Sequence, residues 1–175
     1  MKIHRILALA AVGMLVVAVA TPASADTGVT TATVTVTGGA LSITVPTSVA
    51  LGTRQNSVSG GVISGALGSV VVSDARSAAA GSGWVTTVIA AAFTPPAGPT
   101  IAASAIAYTA GTIVKVGTAT YTANDPPNLT GTVAAVTATG ITGDNSATWN
   151  PTIVVTVPGG MAAAVYTSTI THSVT

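Results

Sequence analysis

Residues 74–93 read DARSAAAGSGWVTTVIAAAF, and the fold turns on how this stretch is divided. Its second half alternates. Trp84, Thr86 and Val88 fall on one side of an extended chain, and Val85, Thr87, Ile89 and Phe93 on the other. Its first half ends a strand, Ser69 to Ser73, at Asp74 and Arg76. Ser77 to Ala80 then runs into Gly81-Ser82-Gly83, which reads as a loop. The expected order is therefore strand, loop, strand.

The same period of two recurs on both sides. Thr33 to Thr37 alternates Thr with Val, Leu41 to Val45 alternates up to Pro46, and Ile153 to Val157 ends on Pro158-Gly159-Gly160. In the last stretch Tyr166, Ser168, Ile170, His172 and Val174 share a face. Further turns are expected at Gly38-Gly39, Gly60-Gly61, Pro95-Pro96, Asp125-Pro126-Pro127 and Gly143-Asp144-Asn145. Short β-branched strands between Gly and Pro breaks predict an all-β antiparallel sandwich. No stretch after the leader reads as a helix, because the chain has no Glu and little Gln. No repeat of solenoid length is present.

The first residues read as a secretory signal peptide. Lys2, His4 and Arg5 precede an apolar run from Ile6 to Ala20, and Ala23-Ser24-Ala25 offers a small-residue cleavage site. Residues 1–25 are the expected leader and 26–175 a single mature domain. No later run is apolar for long enough to span a bilayer, and no sorting signal follows the last strand. The Ala, Val, Thr and Gly bias points to a GC-rich genome, such as an actinobacterial one. Over 26–175, Arg54, Arg76 and Lys115 face Asp26, Asp74, Asp125 and Asp144, so no basic patch is left for nucleic acid or anionic lipid. There is no cysteine, so the fold rests on packing and sheet hydrogen bonds.

Candidates for chemistry are few. His172 is the one histidine beyond the leader, and no nucleophile-elbow pattern surrounds any serine. A glycosidase needs paired carboxylates, whereas the four aspartates are scattered. Asp125 and Asp144-Asn145 suit turns better than calcium loops. No metal site, cofactor or enzymatic activity is expected. Asp74 and Arg76, two apart on one strand face, are expected to form an ion pair, or Arg76 to clamp a ligand carboxylate. Trp84 is either a core side chain or an aromatic platform for a sugar or peptide. Trp149, before Asn150-Pro151, has the same two readings and looks more loop-like. Thr-x-Thr rows would suit ice only if repeated across neighbouring strands.

The order of these pieces carries a resemblance. Val70-Val71-Val72-Ser73-Asp74-Ala75-Arg76, then Gly83-Trp84-Val85-Thr86, then Phe93, Ile106-Ala107-Tyr108, Ile153 to Pro158, and finally Tyr166 to His172 resembles the WxL domains of Gram-positive cell surfaces. It spans about residues 38–175. Both Trp-x-Leu motifs are degraded: the first reads Trp84-Val85-Thr86, and His172-Ser173-Val174 stands at the second. The resemblance implies a secreted, non-catalytic β-sandwich that associates with peptidoglycan without a covalent bond and with other surface proteins. It makes Trp84 and His172, at the two motif positions, the expected ligand or partner contacts, and Tyr166 and Trp149 are further candidate contacts. The alternative expectation is a structural subunit or adhesin recruited by protein partners through exposed strand edges.

Overall fold

The computed structural model describes residues 27–175. The expected leader and Asp26 lie outside the described residues. Residues 36–175 form one compact unit. The described residues before it, 27–35, form no regular element and are exposed.

Eight strands build the compact unit: β1 (Leu41–Thr44), β2 (Gly61–Ala66), β3 (Val70–Ala90), β4 (Ile106–Thr109), β5 (Val114–Ala123), β6 (Val133–Trp149), β7 (Thr152–Val157) and β8 (Ile170–Val174). One 3-10 turn, Ala103–Ala105, precedes β4. One sheet has the order β1-β3-β6-β5, with β8 also on β3; the other has the order β2-β7-β4. Every strand pairing is antiparallel. The two sheets pack face to face as a β-sandwich, as the period-two pattern predicts.

Strand alternation is what fills the core. Trp84, Thr86, Val88 and Ala90 are buried on one face of β3, and Val70 and Val72 do the same at its start. Trp149, Ile153, Val155, Ile106, Tyr108 and Leu129 complete the interior. Large side chains are scarce, so each of these carries much of the apolar area that the sandwich removes from water.

Four expectations need correction. Ser77–Gly83 is not a loop between two strands but the middle of the 21-residue β3, whose register against β6 shifts between Asp74 and Trp84. Here β3 carries more residues than β6, and the surplus bulges out exposed. Gly143-Asp144-Asn145 lies inside β6 rather than at a turn, opposite that bulge. Trp149 is the last residue of β6, paired with Val70 and only 2% exposed. Thr33–Thr37 belongs to no strand, because alternation makes a chain extended but only a ladder partner makes it a strand.

Candidate functional site

Asp74 and Arg76 do form the expected pair. Arg76 Nε donates to Asp74 Oδ1 at 2.8 Å, Nη2 donates to Oδ2 at 3.0 Å, and the Arg76 backbone N–H donates to Oδ1 at 3.1 Å. Arg76 Nη2 also reaches the Gly83 carbonyl at 3.3 Å, which ties together the two ends of the bulge. These bonds, with Asn145, hold the buried Asp74 carboxyl down to about pKa 2 against the cost of its burial.

The pair continues inward as a chain of hydrogen bonds across three neighbouring strands. Asn145 Nδ2 donates to Asp74 Oδ2 at 3.2 Å. Asn145 Oδ1 accepts from Trp84 Nε1 at 3.0 Å and from Tyr121 Oη at 3.2 Å. The Trp84 and Tyr121 rings lie 5.6 Å apart, tilted at 57°. Trp84 is thus a core side chain, 2% exposed, with its one polar atom satisfied. It offers no ring face to a ligand. Sequence reading missed Asn145, whose partners lie 61 and 71 residues away and meet it only through the β3–β6 register.

The two positions that the resemblance sets against Trp-x-Leu have a local account. At Thr86, where Leu would complete the first motif, β6 carries an extra residue, since Thr86 pairs with Val136 but Thr87 with Ala134. The buried Thr86 hydroxyl donates to the Val136 carbonyl at 3.1 Å and accepts from the Val136 N–H at 3.0 Å. A leucine could do neither. At the second motif, His172 Nε2 lies 3.3 Å from Tyr108 Oη, which also accepts from Trp149 Nε1 at 2.7 Å. Trp149 and His172 belong to the larger sheet and Tyr108 to the smaller, so these three tie the sheets together. Burial pulls the His172 pKa down to about 4 and pushes Tyr108 up to about 12. Trp149, like Trp84, is a core residue rather than an accessible contact.

Tyr166 lies elsewhere, in a cleft of about 1130 Å³. Its walls are two connections without regular structure, residues 46–57 and 161–169. Its floor is the end of the core, with Leu67, Ile101, Val155 and Met161. The 46–57 wall lies close on β2 because two glycines of that strand allow it. A Cβ on Gly65 would strike the Leu51 carbonyl, and one on Gly61 would occupy the place of the Arg54 guanidinium. Arg54 Nη2 donates to the Gly60 carbonyl at 2.6 Å, and Ser57 Oγ donates to the same oxygen at 2.9 Å. Tyr166 Oη donates to the Ala162 carbonyl at 3.0 Å and steadies the opposite wall. Among the described residues, Arg54 is the only charged side chain in the lining, which holds no carboxylate, imidazole or thiol. Sequence reading singled out Tyr166 but not Arg54, because the cleft is made by two loops without a motif.

The remaining aspartates are used locally. Asp125 Oδ1 accepts the Ala110 N–H at 2.7 Å, and Asp144 Oδ1 accepts the Ser77 N–H at 2.9 Å. Among the described residues, no three acidic, imidazole or thiol side chains cluster as a metal site would require, and no helix is long and apolar enough to cross a membrane. Comparison with protein-family models, with curated proteins and with solved structures returns no match.

Proposed function

We propose that this chain is a secreted, non-catalytic surface module of a Gram-positive bacterium, similar to WxL domains, which holds peptidoglycan non-covalently in the cleft between residues 46–57 and 161–169. The observation that carries this reading is the make-up of the cleft: an apolar floor, two walls of irregular backbone, and Arg54 as the sole charge. Such a lining suits an extended chain with amides and a carboxylate, which describes the peptide stems of peptidoglycan. Its serines and threonines have no carboxylate, imidazole or thiol in the described lining to activate them. The contact role moves to Tyr166 and Arg54, and Trp84, Trp149 and His172 support the scaffold.

The test is co-sedimentation of the purified chain with isolated Gram-positive peptidoglycan. The wild type is expected in the pellet. Arg54→Gln and Tyr166→Phe are expected to weaken retention severalfold each, with folding checked by thermal unfolding so that lost retention is not read from an unfolded variant. A wild-type chain that stays in the supernatant removes direct wall attachment.

A further inference from the structure

Strand β5 closes one edge of the larger sheet. It pairs with β6 alone, and among the described residues no other strand covers its outer side. An open edge of ten residues is a template for another strand. The first half of this edge is guarded. Lys115 is charged, and Gly117, at φ +85°, breaks the register between Val116 and Thr118. The second half, Thr118 to Ala123, carries neither charge nor left-handed residue, and where its register shifts again between Thr118 and Thr120 the extra residue is on β6, so the β5 edge itself stays regular. Three other edges are better protected: the Tyr108 N–H of β4 donates to the Pro126 carbonyl at 3.1 Å, and β1 and β8 are short.

The chain also holds a strand without a sheet. Thr33-Val34-Thr35-Val36-Thr37 alternates β-branched residues, forms no strand, and leaves Val34 and Val36 87% and 86% exposed. Gly38-Gly39 separates this segment from β1. Residues 27–40 carry no charge, so nothing repels the segment from Lys115.

We propose that residues 33–37 of one copy add as an antiparallel strand to the Thr118–Ala123 edge of a second copy. One register satisfies both faces. Thr35 opposite Thr120 puts Thr33 opposite Thr122 and Thr37 opposite Thr118. This adds a further column to the Thr118–Thr142, Thr120–Thr139 and Thr122–Thr137 pairs already joining β5 to β6. Val34 and Val36 then fall opposite Tyr121 and Ala119, whose partly buried side chains pack against the core. Donor and acceptor are different surfaces, so the contact is head to tail and runs on from copy to copy, as a filament unless its rotation closes a ring. It is independent of wall binding.

The chain has no cysteine, so pairing can be read by disulfide cross-linking. Val36→Cys chains are mixed with Ala119→Cys chains under mild oxidation, with a Val36→Cys and Val62→Cys mixture as the control for random collision. Cross-linked heterodimer well above the control is expected. Sedimentation of the unmodified chain is expected to show mass rising with concentration, and Val34→Pro to weaken this roughly tenfold or more, since proline removes ladder bonding. Val34 lies outside every strand, so this variant keeps the fold. A chain that stays monomeric at all concentrations overturns the proposal. So does a doubly substituted Val36→Cys, Ala119→Cys chain that cross-links only within itself.

Discussion

Trp84 shows how one residue can be legible from sequence while its reason is not. Its alternation with Thr86 and Val88 marks the core face correctly, and Asp74 with Arg76 is visible as an i, i+2 pair. What links them is Asn145, which a sequence pattern assigns to a turn because Gly143 and Asp144 precede it. Removing the ring is expected to cost about 3–5 kcal/mol in urea unfolding, the range for deleting a buried aromatic. Trp84→Phe keeps most of the packing and loses only the bond to Asn145 Oδ1, which Tyr121 still satisfies. About 1 kcal/mol is therefore expected, and a Phe variant as weak as the Ala one would mean that the bond outweighs the packing. Thr86 gives the complementary case. Thr86→Leu strands the Val136 N–H and carbonyl in the interior, and a loss of roughly 2–3 kcal/mol is expected. A more stable leucine variant would refute this account of why threonine stands here.

At the scale of the element, β3 explains why sequence reading divided what the fold joins. Its ends alternate clearly, but its middle is Ala, Gly and Ser, which signal a loop because they lack β-branched side chains. The strand persists since β6 supplies partners on either side of the bulge and Arg76 bridges from Asp74 to Gly83. The reverse error occurred at Thr33–Thr37, where ideal strand composition finds no partner among the described residues. Local pattern reports the willingness to extend, and pairing decides the rest. The bulge also contains a testable strain. Ser77 sits at φ +54°, a left-handed backbone that costs a residue with a Cβ about 1 kcal/mol. Its N–H is held by Asp144, an interaction glycine would keep. Ser77→Gly is expected to be neutral or stabilising by up to about 1 kcal/mol in thermal unfolding, where glycine elsewhere in a strand destabilises. A clear loss of stability would show that the Ser77 side chain matters more than its backbone.

Across the whole molecule, the layered architecture was readable because both sheets bury one face and alternate. The cleft was not, since two irregular connections meet there through folding alone. The contact between the sheets at Tyr108, Trp149 and His172 makes the sandwich sensitive to acid in a way the sequence did not disclose. Burial holds His172 at about 4, below its ordinary 6.5, so the unfolded chain takes up a proton that the folded one refuses. Stability from this group is therefore full above about pH 6.5 and falls until pH 4, by roughly 2–3 kcal/mol. Asp74 acts in the next window with the opposite chemistry. Its folded value near 2 lies below the ordinary 3.8, so its contribution is present above about pH 4 and disappears as pH falls through 2. Urea midpoints measured from pH 7.5 to 2 should thus fall in two steps. His172→Gln keeps a hydrogen-bonding group beside Tyr108 but cannot gain a proton, and should flatten the upper step alone. Asp74→Asn should remove the lower one. A wild-type midpoint that stays level between pH 6.5 and 4 would mean that His172 is protonated in the folded state without penalty. The tie between the sheets would then have to open to water to admit the charge.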